Sequence, residues 1–389
     1  LHTIEASSMQ TDAHAATALA RVIAIVPVYN EEEIVERTIT SLMHQTHPLE
    51  TVVVVANNCT DNTVPIVKSL QQHYGADRLI LLEMTHNPHK KAGALNFGVQ
   101  VISQLYGRDV PPFIFTMDGD TVLHERIIEM GVKKLTREPD TGGVCAAYRT
   151  LPLQEGATRW QRFLWRLQNI EFGLANAWRV EHFYSARVLP GVSTMFRLTA
   201  LLEVERINRL RGYDRGTIWV PNHQVEDYVL TLDLKDGGWG VKSSHHMIAW
   251  SDVPLRLNGK AGLWDQRQRW YSGTVDVIRE RRLARHSRYE LFTIGMLVAN
   301  LLMRILLVGG FIMLLATAHR IELTPVFLLL PVFAILMQLY RLRKFGDQLD
   351  RWQIFFTATL VVTEAYAIYR EMLYTYSIWL SYRRPNRSW

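Results

Sequence analysis

Residues 113–121 read FIFTMDGDT: an apolar, strand-like run stops at two aspartates with a single glycine between them. Like charges that close repel, so the position calls for a metal ion, a basic side chain or plain water. Residues two apart along a strand point to the same side, and Gly119 permits a sharp turn between Asp118 and Asp120. Two hard oxygen donors so placed suit Mg2+ or Mn2+ carrying a diphosphate, with phosphate oxygens completing the shell. The competing reading is a polar loop start, since an isolated Asp-Gly-Asp is common.

The flanking sequence says what kind of strand this is. From Arg21 to about Tyr148, runs rich in β-formers alternate with helical patterns. RVIAIVPVY (21–29), TVVVVAN (51–57), RLILLEM (78–84) and GGVCAAY (142–148) read as further strands, several apolar on both faces. Between them, EEEIVERTITSLMHQ (31–45), DNTVPIVKSLQQHYG (61–75), KAGALNFGVQVISQLYG (91–107) and HERIIEMGVKKLTR (124–137) carry apolar residues at helical spacing. This alternation implies an α/β fold, a mostly parallel sheet with helices on both sides. Ligands of such sheets collect outside the carboxyl ends of the strands, where Asp118 and Asp120 stand.

Composition narrows the classes of partner. The formal net charge of +6 suits an anionic ligand or an anionic lipid surface, and no Lys/Arg block forms a nucleic-acid arm. Cys59 and Cys145 are the only cysteines, which excludes a disulfide framework and a cysteine zinc site and leaves two free thiols. Residues 1–20 lack a basic start followed by a long apolar stretch, so a flexible lead-in is expected rather than a signal peptide or a span before the first strand.

Several strand ends carry chemistry. VPVYNEEE places Asn30 as a helix N-cap and its glutamates at the positive end of the helix dipole. That leaves Tyr29 and Glu31, at the strand's carboxyl end, to stack on and hydrogen-bond a base. In VVVVANNCTDNT, Asn57 has an amide able to read a pyrimidine edge, and Asp61 suits a cap. HKKAGALN sets Lys90 and Lys91 just before a helix, an end that attracts phosphate, although a lysine pair is commonly a solvated face. In VEDY, Glu226 and Asp227 point in different directions on a helix. Asp227 suits a general base acting on an acceptor hydroxyl, against the alternative of a solvated helix start. In QRQRWYSG, Gln266, Arg269 and Trp270 share one helix face, with Arg267 and Gln268 pointing elsewhere. Arg269 can fork onto a diphosphate, and Trp270 offers a flat surface for a sugar ring, where the plain alternative is a packing contact. His245 and His246 read as ordinary polar histidines.

Taken together, in this order, these stretches resemble the membrane-associated enzymes of glycosyltransferase family 2, the group of cellulose, chitin and hyaluronan synthases. The resemblance spans about Val22 to Gly273. It implies a GT-A-type domain that binds a nucleotide-diphosphate sugar, a UDP-sugar foremost, and transfers with inversion to a glycan or lipid-linked acceptor. It also implies a Mg2+ or Mn2+ cofactor. By match, Pro27, Tyr29, Glu31 and Asn57 are nucleotide contacts and Lys91 lies near that pocket. Asp118 holds nucleotide and metal, and Asp120 is the chief metal ligand. Asp227 is the base, with Glu226 beside it, and Gln266, Arg269 and Trp270 span diphosphate and acceptor. The family commonly has an aspartate where this chain has Asn57. The resulting division is a nucleotide-sugar half over 21–150, an acceptor half over 151–285 and a membrane region over 290–389.

Within that last region, LFTIGMLVANLLMRILLVGGFIMLLATA, with Arg304 as its only charge, and TPVFLLLPVFAILMQLY read as crossings over about 291–316 and 324–340. The basic RLRKFGDQLDR that follows marks the cytoplasmic side, which places the catalytic domain in the cytoplasm. A third helix, about 353–380, reads as interfacial because it carries Glu364, Arg370 and Glu371; it becomes a crossing only if Glu364 pairs with Arg304. Trp160, Trp165 and Trp178, among arginines, suit an interface as well. An integral membrane enzyme follows, processive or adding a single sugar, with a homo-oligomer as an open possibility. The rival classes are a non-catalytic nucleotide-sugar sensor and a transporter, the latter disfavoured by too few spans.

Overall fold

In a computed structural model, residues 20–259, 262–281, 285–316, 326–345 and 349–383 are described, without the side chains of 285–287, 289, 290, 307–312, 314–316 and 326–331. The lead-in over 1–20 therefore lies, but for its last residue, outside the described residues. The chain divides into two units, Leu1–Leu151 with Trp178–Asp252, and Pro152–Ala177 with Val253–Trp389.

The first unit opens with β1 (Val22–Val28), α1 (Val35–Met43), β2 (Thr51–Asn57), α2 (Thr63–Tyr74), β3 (Leu79–Met84), α3 (Lys90–Tyr106) and β4 (Phe113–Met117). Then follow β5 (Thr121–Leu123), α4 (Ile127–Arg137) and β6 (Thr141–Thr150). Helix α5 (Arg159–Glu181) starts in the second unit and ends in the first, which continues with β7 (Ser193–Arg197), α6 (Leu198–Leu210), α7 (Glu226–Asp236) and β8 (Gly240–Ser251). The described strands form one eight-stranded sheet in the order β3-β2-β1-β4-β7-β6-β8-β5. Parallel pairs join β1 to β2 and β4, β2 to β3, and β6 to β8, while β7 runs antiparallel to β4 and β6, as β5 does to β8.

Every residue of β1, β2 and β4 is buried, which is why these strands read as unbroken apolar runs. The period of two sorts β1 between two cores. Val22, Ala24, Val26 and Val28 pack with Ile39 of α1 and Ile128 of α4, while Ile23 and Ile25 pack with Ala94, Leu95 and Ile102 of α3. Helix α3 approaches closely at Gly98, where a Cβ would come within 2.7 Å of Ile25 Cγ2. Chain order reverses at β1, with β2 on one side and β4 on the other, so the crevice at this switch point opens at the carboxyl ends of β1 and β4.

One local expectation needs correcting. Asn30 is not an N-cap: α1 starts at Val35 behind Ile34, and no side chain caps it. Asn30 instead has a left-handed backbone (φ 55) and ties two loops together, its Oδ1 accepting from Thr60 N–H at 2.8 Å. Asparagine tolerates that conformation. Gly119 does stand in a turn, closed by the Thr121 N–H donating to the Asp118 carbonyl at 3.3 Å. It turns without a left-handed backbone and is needed for proximity, since a Cβ there would lie 2.9 Å from Val28 Cγ1 and 3.2 Å from Glu31 Cγ.

The second unit contains α8 (Leu263–Glu280), α9 (Arg285–Ala316), α10 (Val326–Phe345), α11 (Arg351–Thr359) and α12 (Val361–Arg383). The crossings expected over 291–316 and 324–340 fall on α9 and α10, but among the described residues no helix is long and apolar enough to cross a membrane. The charge-free part of α10, residues 326–340, rises about 22 Å, short of a hydrocarbon core of about 30 Å. The apolar run of α9 is interrupted by the charge of Arg304, which pairs with Glu364 and, at 3.3 Å, with Glu371 of α12. Residues 324 and 325, and several side chains on both helices, lie outside the described residues. The third helix is two: Leu360 (φ 58) breaks it, and α11 begins in a capping box between Asp350 and Gln353.

Candidate active site

The crevice of the first unit gathers most of the expected site residues. Asp118 follows the last residue of β4 and forms an ion pair with Lys91, in the first turn of α3. The same ammonium lies 3.3 Å from Glu226 at the start of α7. Burial alone would depress the Lys91 ammonium, but Asp118, Glu226 and Asp227 overcome it and raise its pKa, so it stays charged. Gly191, in the loop before β7, allows this arrangement. A Cβ there would sit 2.1 Å from Lys91 Nζ and 3.2 Å from Asp118 Oδ1.

Asp227 is held from two sides. One carboxylate oxygen accepts from the Gly191 N–H at 3.2 Å, and the other from the Tyr228 N–H at 2.7 Å. Burial, helped by the neighbouring Glu226 charge and opposed by Lys91, pushes its carboxyl up to about 7. Lys91, Gly191, Glu226 and Asp227 line a single small cavity floored by Leu189, Pro190 and Trp219.

A second cluster of carboxylates surrounds Asp120. Burial first, then the charges of Asp118 and Asp252, raise Asp120 to about 7. Glu31, after β1, is raised to about 8 by burial and by Asp120, Asp118 and Asp252. Asp252 was not singled out from the sequence. It arrives through the antiparallel pairing of β5 with β8, which sets Ser251 opposite Thr121 and so brings the next residue beside Asp120. No local signal announces that, because the two aspartates are joined only by strand register.

Does this set suit a divalent cation? Among the described residues no three His, Cys, Asp or Glu side chains form a group that would hold a metal ion by themselves. Mg2+ and Mn2+ bound with phosphates need only one or two carboxylates from the protein. Asp118 and Asp252 raise the proton affinity of Asp120 and of Glu31, the electrostatic mark of a place that welcomes added positive charge. The donor set fits such an ion, and Asp118 and Asp120 are the side chains that would hold it.

The remaining nucleotide candidates sit at neighbouring strand ends. Pro27 lies within β1, and Tyr29 just beyond it is 57% exposed, free to offer its ring. Asn57 ends β2, buried, its carbonyl accepting from the Asn87 amide at 2.8 Å. Asn87 also donates to Lys90 O at 2.7 Å, so one side chain couples the end of β2 to the turn that presents Lys91. Asp61 is not the N-cap of α2, a position that Asn62 holds without a side-chain cap bond; one residue earlier, it accepts from Thr63 N–H at 3.0 Å and from Glu32 N–H at 3.1 Å, bridging the start of α2 to the β1 loop. Gln266, Arg269 and Trp270 belong to α8 of the second unit, with Arg269 and Trp270 exposed and Gln266 half-buried. Arg267 between them is 1% exposed. His245 stacks on His246 and on Tyr184.

Comparison with known proteins follows the same lines. Glycosyl transferase family 2 matches residues 23–192, and Glycosyl transferase family group 2 matches residues 113–341. The poly-β-1,6-N-acetyl-D-glucosamine synthase of Staphylococcus epidermidis is 24% identical over 257 residues, which cover 65% of this chain and 54% of that protein. The synthase of the same name from Staphylococcus aureus strain COL is 23% identical over the same span. The chain thus spans about half the length of the curated relatives it matches. Among solved structures, a mannosyltransferase of Pyrobaculum calidifontis in complex with GDP-Man and Mn2+ superposes with a TM-score of 0.53 at 17% identity, covering 95% of this chain and 88% of that one. At that identity the likeness shows the fold alone, the GT-A-type α/β fold expected from the sequence.

Proposed function

The chain belongs to glycosyl transferase family group 2 and is a glycosyltransferase enzyme, and from that premise we propose that it moves a sugar, with inversion, from a nucleotide-diphosphate donor to a growing glycan. We take UDP-N-acetylglucosamine as the donor, since the staphylococcal relatives are named for a polymer of that sugar. One observation carries the reading. At the sheet's switch point a charged lysine, paired with Asp118 of the acidic rim and with Glu226, stands next to Asp227, a half-buried carboxylate that is held by two backbone N–H groups and pushed up in pKa to about 7.

The roles follow from that arrangement. Asp227 takes the proton of the acceptor hydroxyl, and the oxygen of that hydroxyl attacks the anomeric carbon from the face opposite the diphosphate. The bond from that carbon to the diphosphate breaks as the new glycosidic bond forms. A base whose pKa lies near the working pH is effective in such a step, contributing roughly 10²–10⁴ in rate. Lys91 offers a fixed positive charge to the departing phosphates, in a setting where preorganised charge is worth several-fold more than in water. A Mg2+ or Mn2+ ion on Asp120 and Asp118 would neutralise the diphosphate's charge when bound. Pro27, Tyr29, Glu31 and Asn57 are our nucleotide contacts, and Gln266, Arg269 and Trp270 our contacts to diphosphate and acceptor.

We place the enzyme at the cytoplasmic face of a membrane. Support comes from the large apolar side chains exposed along α9 to α12, among them Leu306, Phe333, Phe355 and Trp379, more than a water-facing surface normally carries. The test of the main reading is turnover of UDP-N-acetylglucosamine and of GDP-mannose with Mg2+ or Mn2+, in the unaltered chain and in Asp227→Asn. Sugar transfer that the substitution abolishes while donor binding persists is expected; equal turnover in the two proteins would refute the assignment. Sizing the radiolabelled product separates polymerisation, which gives a ladder, from addition of one sugar.

A further inference from the structure

Arg267 is among the largest fully buried side chains of the molecule, on a helix whose neighbouring residues Arg269 and Trp270 are exposed. An unpaired guanidinium in such a place would cost several kcal/mol. Its partners are specific. One terminal nitrogen donates to Glu171 of α5 at 3.0 Å, and the other donates to the Gln266 carbonyl at 2.5 Å. The guanidinium carbon lies 4.3 Å from the centre of the Trp270 ring, within cation–π range. Glu171 is in turn held by Arg370 at 3.0 Å and by the Tyr366 hydroxyl at 2.8 Å, both on α12. Burial would raise the Glu171 carboxyl, but the two guanidiniums and the hydroxyl hold it at about 2, so the anchor is charged at any working pH.

Stability alone does not account for this design. Buried ion clusters are often replaced by apolar residues at no loss of stability. The Arg267 Nε–H, moreover, is buried without a hydrogen-bond partner, a cost that a purely packing side chain avoids. What the guanidinium does grip, apart from Glu171, is a half-buried amide and an exposed indole.

We propose that Arg267 is a positioning residue: anchored by Glu171, it orients Gln266 and Trp270 for the diphosphate and the acceptor sugar. This rests on the role given above to those two side chains. A lysine keeps the charge but cannot fork to two acceptors while lying flat against a ring, so the arrangement asks for arginine.

The experiment compares Arg267→Lys, Glu171→Gln, Gln266→Ala, Trp270→Ala and the pairwise combinations of Arg267→Lys with the last two. Transfer is assayed from UDP-N-acetylglucosamine and GDP-mannose, alongside donor KM and the unfolding temperature. We expect Arg267→Lys to lower kcat about 100-fold, the scale of a small misplacement of reacting groups, with donor KM little changed. In the Gln266→Ala and Trp270→Ala backgrounds most of that loss should disappear, because the residues through which Arg267 acts are already gone. Should the losses multiply instead, or merely follow the fall in unfolding temperature, Arg267 is structural and the proposal is overturned. Should Arg267→Lys fail to fold, Tyr366→Phe, which removes only one hydroxyl from Glu171, takes over: a graded fall in kcat at unchanged unfolding temperature supports the proposal, and no change overturns it. If Gln266→Ala and Trp270→Ala leave transfer untouched, the motif's assigned role has failed, an outcome distinct from a silent Arg267→Lys beside two damaging single variants.

Discussion

Asp227 shows how a side chain's surroundings set its chemistry. With its pKa near 7, the carboxyl is protonated in mildly acidic solution and becomes a base only as pH rises, so kcat/KM is expected to climb through about pH 7 and flatten above it. A pH profile of kcat/KM checks this, and Asp227→Asn should remove that limb along with most of the rate. For folding the sign is opposite. The native state binds this proton more tightly than the unfolded chain, so the group favours folding below the usual carboxylate range and that contribution fades as pH rises through about 7. Gly191 gives a second residue-scale prediction. The Cβ of Gly191→Ala would collide with the Lys91 ammonium, the movable end of a long chain, so it should displace the lysine from Asp118 rather than unfold the protein. We expect at least about a tenfold loss of turnover, on the scale of one misplaced electrostatic donor, with the unfolding temperature nearly unchanged.

Elements reveal which strands could be read locally. Strands β1, β2 and β4 are buried on both faces, so composition alone marks them, and the intervening helices keep an apolar stripe. Strands β5 and β8 were not legible in the same way. One is three residues long, and the other alternates buried with half-buried positions that include polar residues; they exist because β8 pairs with β6 and β5 with β8. Their pairing is what supplies Asp252. The close approach of α3 to β1 is likewise a matter of packing. Gly98→Ala forces a Cβ against Ile25 and should destabilise the fold by about 1–3 kcal/mol, as overpacking does, measurable by chemical denaturation.

For the molecule as a whole, the C-terminal helices were expected as two crossings and an interfacial helix. Their apolar content is real, but length and charge placement decide whether a helix crosses, and neither α9 nor α10 meets the requirement among the described residues. Arg304 does pair with Glu364, the contact on which a third crossing was made conditional, yet a break at Leu360 leaves α11 and α12 as separate helices. The proposed placement at a membrane predicts that the protein floats with anionic lipid vesicles in a sucrose gradient. Release by high salt or alkaline carbonate would mark peripheral attachment, and resistance to both, requiring detergent, a spanning anchor.

The amino-acid sequence by itself determined the α/β alternation and marked Asp118, Asp120 and Asp227 as candidate acidic groups, because periodicity and charge are properties of neighbouring residues. Only the tertiary structure decided that Lys91 joins Asp118 to Glu226 beside Asp227, that the charge of Asp252 reaches Asp120, and that Arg267, which the helical wheel turns away from its motif, is fixed by Glu171 against Gln266 and Trp270. The partners that fix each of these side chains come from segments far apart in the chain. Their geometry comes from strand register and helix packing, and burial then sets the charge states that no local pattern contains.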